Sequence, residues 1–310
     1  MYKMSKKKNK MIVISLVCSV IVSLALTFGS TLGMPSWDDV FHAAKLTDFS
    51  YKSRDYDMSV HVIDVGKADS IYIRCKDKNI LIDAGERDIY KTVNEYLRKN
   101  NVKELDLLVA THPHSDHIGG LPAIIDEFPI KRVIMPEIKE DMIPTSHSYE
   151  NLLQALIRKN ITAESPIPGT EFKIGDLSLT IIAPNSHYDN LNNYSVVIKA
   201  VYKNQSFLFT GDAEEGSERD ILKKEFDLES TVLKVGHHGS KTSSSQAFLD
   251  KVNAKYAVIS VGEDRNKLPK AQTVNRIKSM GTKLYRTDLD GTVIFLTDGE
   301  EIEVITEKGG

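Results

Sequence analysis

Residues 111–120 read THPHSDHIGG and directly follow the apolar segment LDLLVA. The apolar segment predicts a buried β-strand, so the polar residues lie in a loop at its carboxyl end, where α/β folds commonly place their sites. His112 and His114 are two residues apart, and in an extended segment they point to the same side and can share one metal ion. The turn that follows directs Asp116 and His117 toward a second metal ion.

Two other strand-like segments end in residues of the same kinds. FLFTGD ends at Asp212, and a carboxylate at a strand end can bridge two cations with one oxygen each. The acidic residues that follow leave a second interpretation of Asp212 open, as the N-cap of a helix. VLKVGHHGS places His237 and His238 in a glycine-flanked loop after another strand. We expect at least one of them, His238 by preference, to bind metal, and the other to contact a metal ligand or the substrate.

From residue 58 onward, apolar runs rich in β-branched residues alternate with stretches of helical spacing. The order, hairpins first and then strands alternating with helices, occurs in residues 58–165 and again in residues 170–306. This repetition predicts two β-rich halves packed sheet on sheet, with helices outside. We therefore assign residues 58–310 to one domain and the polar residues 34–57 to a linker.

The N-terminus carries a membrane-directed signal. Residues 1–10 hold five lysines and no acid, and residues 11–33 are uncharged and mostly apolar. A span of this length predicts a transmembrane anchor, and the lysines place residues 1–10 in the cytoplasm, so that the domain lies outside a bacterial cell membrane. A cleaved signal peptide, which would leave a secreted protein, is the alternative. The two cysteines, Cys18 and Cys75, allow no disulfide framework in the exported part.

The charge of the chain limits its partners. Net charge is −3, and because the first ten residues contribute five positive charges, the remainder carries −8. Long duplex DNA gripped through many phosphates needs clustered basic residues, so the charge disfavours such a partner.

The pattern His-x-His-x-Asp-His after a strand resembles the signature of the metallo-β-lactamase superfamily. More narrowly, the chain is similar to the extracellular hydrolase domain of ComEC-like competence DNA-uptake proteins. The similar segments are VIDVGKADSIYI (62–73), LIDAG (81–85), THPHSDHIGGL (111–121), NNYSVVIK (192–199), FLFTGDAE (207–214), VLKVGHHGSKTSSS (232–245), AVISVG (257–262) and YRTDLDG (285–291). The resemblance implies an α/β fold, the metallo-β-lactamase αββα sandwich of two mixed β-sheets with helices on the outer faces, preceded here by the transmembrane helix.

The resemblance also implies a site for two divalent metal ions, Zn2+ by preference and Mn2+ as the alternative. Asp212 is expected to bridge the metals, while Asp83 and Asn193 are expected to hold the ligands in place without binding metal. The expected metal ligands are His112, His114, Asp116, His117, Asp212, His237 and His238, and those expected to act in catalysis are Asp116, Asp212 and His238.

Two departures from the family pattern bear on activity. Many superfamily hydrolases carry another metal-binding histidine about 20 residues before the bridging aspartate, in a neighbourhood that reads Asn192, Asn193, Tyr194 and Ser195 in this chain, so one metal is expected to have fewer protein ligands and more water. Leu268 and Lys270 stand where relatives commonly have histidines. The residues expected to contact a substrate phosphate are Ser240, Lys241, Lys267 and Lys270, with Lys234 as a further candidate. His61 and His147 are expected to be ordinary surface residues.

The function that these observations favour is a membrane-anchored, extracellular, metal-dependent phosphodiesterase or nuclease that uses a metal-activated water. Its expected substrate is a phosphodiester such as single-stranded DNA or an oligonucleotide, and no obligate protein partner is expected. One alternative is a phosphocholine esterase, or another ester or lactam hydrolase, of the same fold. The other alternative is a catalytically degenerate scaffold that holds metal without turnover.

Overall fold

The computed structural model describes residues 56–263 and 267–308. The basic tail, the anchor and all but the last two residues of the linker lie outside this part of the chain. Within it, no helix is both long enough and apolar enough to cross a membrane.

Fifteen strands and eight α-helices lie in the described residues. The strands are β1 (Met58–Val62), β2 (Ile71–Cys75), β3 (Lys78–Ile82), β4 (Leu107–Val109), β5 (Val133–Ile134), β6 (Ala163–Glu164), β7 (Glu171–Ile174), β8 (Leu177–Ala183), β9 (Val197–Tyr202), β10 (Gln205–Phe209), β11 (Val232–Lys234), β12 (Tyr256–Ile259), β13 (Lys283–Arg286), β14 (Val293–Thr297) and β15 (Ile302–Thr306). The helices are α1 (Tyr90–Lys99), α2 (Ser115–Ile118), α3 (Leu121–Glu127), α4 (His147–Arg158), α5 (Glu215–Leu222), α6 (Gln246–Val252), α7 (Ala271–Ser279) and α8 (Thr287–Asp290).

The strands form two mixed sheets. The first has the order β15-β14-β1-β2-β3-β4-β5-β6, and the second has the order β13-β12-β11-β10-β9-β8-β7. In each sheet a run of antiparallel strands continues into parallel strands, from β3 to β6 in the first and from β10 to β13 in the second. The prediction of two mixed sheets is confirmed.

The division of the chain between the sheets differs from the sequence-based expectation. The last two strands, β14 and β15, leave the second half and join the first sheet, where β14 pairs with β1 along its whole length. Every residue of β1 is buried, so this strand requires a neighbour on each side, and β2 supplies only one of them. The C-terminal hairpin therefore completes the sheet that the N-terminal strands begin.

Apolar side chains form three layers of core. Between the sheets, residues such as Val60, Phe207 and Phe295 face one another. Helices α1, α3 and α4 cover the outer face of the first sheet, and α5, α6 and α7 cover that of the second, for example through Leu97 and Phe248. These layers are the αββα sandwich that the resemblance implied.

His61 shows how the outer layer changes a surface expectation. Its side chain is fully buried, and its ring nitrogens lie 2.7 Å from the hydroxyl of Tyr96 and 2.8 Å from that of Ser59. Tyr96 belongs to α1, which covers this face of β1. The expectation of a surface His61 is therefore wrong, whereas His147 is exposed as expected.

Candidate metal centre

The candidate centre lies where strands of both sheets end. β3 leads to Asp83, β4 to the segment that begins at Thr111, β10 to Asp212 and β11 to the turn that contains His238. These strands belong to the parallel parts of the two sheets, so their carboxyl ends bring the loops of both sheets to one edge of the sandwich.

Asp212 lies against histidines from the loop that follows β4. Its carboxylate oxygens are 3.9 Å from Nε2 of His112 and 3.3 Å from Nε2 of His117. All three residues are buried, and their ligand atoms lie within 4.8 Å of one another, which is close enough to hold one metal ion. Ser195 supports Asp212, because its hydroxyl accepts the Asp212 N–H at 2.9 Å.

A second group of potential ligands shares His117. It consists of Asp116, His117 and His238. Nε2 of His238 is 3.5 Å from Oδ2 of Asp116 and 3.7 Å from Oδ2 of Asp212, so Asp212 lies next to both groups. Nδ1 of His238 is 2.9 Å from the carbonyl oxygen of Ser260, and donation to this carbonyl leaves Nε2 directed at the carboxylates.

His114 and His237 lie at the margins of the centre. Nδ1 of His114 is 3.0 Å from Nε2 of His112, and Nε2 of His237 is 3.8 Å from Oδ2 of Asp212. Both His237 and His238 have left-handed backbone angles, with φ of 47° and 49°. Residues other than glycine rarely adopt this conformation, which recurs at functional sites. The fold thus gathers all seven expected ligand residues at one place.

Asp83 holds the ligand loop from behind. Its Oδ1 accepts the backbone N–H of Thr111 at 2.8 Å, and its Oδ2 accepts the Thr111 hydroxyl at 2.6 Å. The same Oδ2 is 2.7 Å from Nδ1 of His117. A carboxylate in this position orients the imidazole so that Nε2 faces Asp212.

Asn193 supports the segment that follows Asp212. Its Oδ1 accepts the backbone N–H groups of Glu214 and Ser217 at 3.0 and 3.1 Å, and it thereby caps α5. A Cβ atom at position 216 would lie 2.9 Å from Nδ2 of Asn193, so Gly216 allows this close approach. The helix-cap interpretation considered for Asp212 belongs instead to Asn193.

Glu214 is a functional candidate that the sequence analysis did not identify. Its Oε1 lies 3.0 Å from Nδ1 of His237 and accepts the hydroxyl of Thr242 at 2.6 Å. Its Oε2 accepts a hydrogen bond from Asn190 at 2.6 Å. The sequence signal was its place two residues after Asp212, since a side chain there stays near the strand end.

Asp69 is the second candidate that was missed, and it corrects the expectation for Lys234. Both residues are buried, and Nζ of Lys234 lies 2.9 Å from Oδ2 of Asp69 and donates to the carbonyl of Val235 at 3.0 Å. Lys234 belongs to an interior strand, and its side chain is buried in the pair with Asp69, so it cannot reach a substrate phosphate. The sequence signal was a lysine within the otherwise apolar segment VLKV.

Burial and charge shift the protonation of the central groups in the metal-free chain. Burial alone would raise the pKa of Asp212, but the imidazoles of His117 and His238 hold that pKa well below its usual range. Burial alone would lower the pKa of His117, but the carboxylates of Asp212 and Asp83 raise it well above its usual value. For His112, burial lowers the pKa and the charge of His117 lowers it further. These groups therefore favour ionised Asp212 beside neutral His112.

Three central atoms indicate that the residues fit a metal ion. His117 Nε2, Asp212 Oδ1 and His238 Nε2 are buried, and within the described part of the chain they have no hydrogen-bond partner of good geometry. Buried polar atoms are normally paired, because an unsatisfied one costs free energy. Imidazole nitrogen and carboxylate oxygen are ligands that Zn2+ and other divalent cations accept, so a bound cation satisfies these atoms.

The expected substrate-binding residues flank the turn that carries His238. Ser240 is mostly buried, with its Oγ 2.9 Å from the hydroxyl oxygen of Thr242. Lys241 is exposed and lines a cleft together with Glu214 and Thr242.

The remaining two substrate candidates lie on the segment before α7. The backbone N–H of Lys270 donates to the carbonyl of Gly239 at 2.9 Å, which fixes this segment beside the His238 turn. Lys267 is exposed. Leu268 is partly buried and packs against the outer core of the second sheet.

Comparison with known proteins identifies relatives over most of the chain. A family model described as the metallo-β-lactamase superfamily matches residues 63–263. ComE operon protein 3 of Bacillus subtilis is 27% identical over 265 residues, which cover 79% of this chain and 34% of that protein. Competence protein ComA of Neisseria gonorrhoeae is 31% identical over 285 residues, which cover 90% of this chain and 38% of that protein. The chain thus spans about a third of the length of these relatives.

Solved structures share the fold at low sequence identity. YhfI of Bacillus subtilis, a metallo-β-lactamase fold protein, has a TM-score of 0.52 at 11% identity, and the match covers 76% of this chain and 99% of the YhfI chain. CmlA of Streptomyces venezuelae, a diiron β-hydroxylase, has a TM-score of 0.53 at 13% identity and covers 78% of this chain and 54% of its own. Because proteins with different reactions share this fold, the likeness shows architecture and not activity. The extent of the family match and the kinship with competence proteins together show that the chain belongs to the metallo-β-lactamase superfamily.

Proposed function

We propose that the chain is a metal-dependent phosphodiesterase that acts on single-stranded DNA or short oligonucleotides. The observation that carries the proposal is the convergence of buried, unsatisfied ligand atoms from His117, Asp212 and His238. The kinship with competence proteins supports a nucleic-acid substrate. We further propose that residues 11–33 anchor the domain on the outer face of a bacterial cell membrane.

We propose that the centre holds two metal ions. His112, His114 and Asp212 would hold one ion, and Asp116, His117 and His238 would hold the other; His117 also lies within reach of the first ion, and Asp212 lies next to both groups. When bound, two divalent cations, Zn2+ by preference or Mn2+, supply a water nucleophile near neutral pH and offset the charge that develops on the phosphate.

The chain's own groups set the positions of the ligands. Asp83 orients His117, and the carbonyl of Ser260 orients His238. Glu214 orients His237 so that its Nε2 faces the centre, which supports a substrate-contacting role for His237. His238 is the better metal ligand of the pair because it approaches both Asp116 and Asp212.

The charge of the molecule supports short or single-stranded substrates. The chain after residue 10 carries −8 in total, so attraction for DNA comes from the metal ions and from local lysines such as Lys241, Lys267 and Lys270. Binding is therefore expected to be weak, dependent on metal, and reduced by salt.

The test is cleavage of bis(p-nitrophenyl) phosphate and of a single-stranded oligonucleotide by the full chain in detergent, with Zn2+, Mn2+ or no metal. We expect cleavage of both only with metal. Replacing the proposed bridge, Asp212→Ala, is expected to lower metal content and to reduce turnover by about a hundredfold or more, because several kcal/mol of charge stabilisation is lost. The matched control is Asp141→Ala, which removes an exposed carboxylate and should change neither.

Other outcomes would favour the alternatives. Metal binding without turnover of either substrate would contradict the proposal and favour a scaffold domain. Release of p-nitrophenol from p-nitrophenyl phosphocholine without oligonucleotide cleavage would favour a phosphocholine esterase.

A further inference from the structure

The loop between β1 and β2 brings a lysine to the rim of the centre. Nζ of Lys67 lies 3.6 Å from Oδ2 of Asp116, and 29% of the Lys67 side chain is exposed. Lys67 is partly exposed, whereas His238, which lies 3.5 Å from the same oxygen of Asp116, is fully buried.

Both sheets hold the backbone of this loop. The N–H of Asp69 donates to the carbonyl of Asp116 at 3.0 Å, which ties the loop to the ligand segment of the first sheet. A Cβ atom at Gly262 would lie 2.7 Å from the backbone of Gly66 and Lys67, so the segment after β12 presses on the loop from the second sheet. The position from which the Lys67 side chain extends is therefore fixed before any substrate binds.

The charges around Lys67 give it a specific task. The carboxylates near Lys67 in the described part of the chain include those of Asp116 and Glu86, and Glu86 accepts a hydrogen bond from the hydroxyl of Ser115 at 3.0 Å. Glu86 is not among the proposed metal ligands, so its carboxylate would repel an anionic substrate at this rim, and the ammonium of Lys67 offsets that charge. An ammonium group carries three N–H donors, so its contact with Asp116 does not prevent the partly exposed Lys67 from also donating to a substrate oxygen.

Two other lysines near the centre are differently placed. Lys234 is buried in its pair with Asp69, and Lys241 lines a cleft with Glu214 and Thr242. Lys67 is therefore the better candidate for a phosphate held at Asp116.

We propose that Lys67 binds an anionic oxygen of the substrate at the metal centre and makes the centre favour phosphate esters over neutral esters. This inference rests on the proposed hydrolase function and names the residue that selects the substrate's charge. It adds a binding residue on the rim formed by the β1–β2 loop, separate from the candidates near Lys241 and Lys270.

The test measures binding of inorganic phosphate to the metal-loaded full chain by titration calorimetry, alongside KM and kcat for bis(p-nitrophenyl) phosphate. We expect Lys67→Gln to weaken phosphate binding and to raise KM by about tenfold, the size of one lost hydrogen bond to a charged group. Lys67→Arg, which keeps the charge, should retain most of the affinity. Lys91→Gln removes an exposed lysine of α1 and should leave both quantities unchanged.

Metal content and the melting temperature of each variant show whether the centre is intact. Unchanged phosphate affinity in Lys67→Gln, or no phosphate binding by the unmodified chain, would overturn the role of Lys67. Phosphate binding that depends on Lys67, without phosphodiester cleavage, would overturn the proposed function and leave the role of Lys67 standing. Cleavage by the unmodified chain, together with an unchanged KM and unchanged phosphate binding in Lys67→Gln, would overturn the role of Lys67 and leave the proposed function standing.

Discussion

The carboxylate and backbone of Asp69 connect three parts of the centre. Its N–H donates to the carbonyl of Asp116, its Oδ2 lies 2.9 Å from Lys234, and its Oδ1 is 3.7 Å from Nδ1 of His238. A buried ion pair is costly to desolvate, so its value lies in geometry more than in stability. Here the pair joins the loop after β1 to strand β11, which leads to the turn that contains His238.

Breaking this ion pair should destabilise the protein. Lys234→Met leaves the Asp69 carboxylate buried without its cation, and we expect a loss of about 3 to 5 kcal/mol in the free energy of unfolding, measured with urea. The double variant Asp69→Asn/Lys234→Met removes both charges and should recover part of the loss. Strictly additive losses in the two single variants and the double variant would contradict a direct interaction.

His61 makes stability depend on pH. Burial, with a smaller effect of the charge of Arg74, lowers the pKa of His61 from 6.5 to about 3. The unfolded chain therefore binds a proton at His61 between about pH 6.5 and pH 3 that the folded chain does not bind. Stability from this group is fully present above pH 6.5 and is lost as the pH falls through this range.

The expected result is a difference in how steeply the unfolding free energy changes with pH. Between pH 7 and pH 5 the metal-free protein should lose about 2 kcal/mol more of its unfolding free energy than His61→Gln does, at about 1.4 kcal/mol per pH unit. His147→Gln changes an exposed histidine and should retain the slope of the unmodified chain. Equal slopes for the unmodified chain and His61→Gln would show that the burial of His61 does not control this response.

At the scale of elements, α5 links helix capping to the centre. The helix begins at Glu215, directly after Glu214, and Asn193 from the turn before β9 satisfies two of its N-terminal N–H groups. Free N–H groups at a helix start need such acceptors. The cap thus sets the path of the backbone that carries both Asp212 and Glu214.

Two substitutions of Asn193 should distinguish the effect of its acceptor oxygen on stability from the effect of its side-chain shape. Asn193→Ala leaves two N–H groups without an acceptor, and we expect a loss of about 1 to 3 kcal/mol in the unfolding free energy. Asn193→Asp keeps an acceptor oxygen and adds a negative charge at a helix N-terminus, so its loss should be smaller. Urea denaturation of both variants measures the difference, and equal losses would argue against the cap.

At the scale of the whole molecule, the C-terminal hairpin closes the first sheet. Phe295 of β14 lies opposite Val60 of β1, and its ring contacts Phe207, Tyr256 and Tyr285 of the second sheet at centroid distances of 6.1 to 6.4 Å. One residue near the end of the domain therefore joins both sheets.

Removing this ring should weaken the entire fold. We expect Phe295→Ala to cost about 3 to 5 kcal/mol of unfolding free energy, because it leaves a cavity between the sheets. Leu289→Ala, at an exposed position outside the core, should cost less than about 0.5 kcal/mol. A thermal melt that follows both far-ultraviolet and near-ultraviolet circular dichroism measures the loss, and a small effect of Phe295→Ala would contradict the inter-sheet role.

Much of the architecture could be predicted from local pattern. The apolar runs marked the longer strands, and the residues directly after them, among them His112, Asp116 and Asp212, proved to lie at one edge of the sandwich. Strand β6 carries no apolar run, because its two residues are half-exposed and exposed, and β7 carries only a weak one, because its residues alternate between exposed and half-exposed. Local pattern predicts a strand where the apolar side chains of a run show by their spacing which of them are buried.

The sequence by itself determined which residue types stand at the strand ends, and therefore the kind of chemistry the centre can hold. Only the tertiary structure decided that Asp69 pairs with Lys234, that Glu214 faces His237, and that β14 lies beside β1. The physical reason is that periodicity records whether a side chain is buried, whereas its partner depends on how segments far apart in the chain pack together. The environment of a buried charge such as Lys234 depends on Asp69, a partner that is distant in the chain.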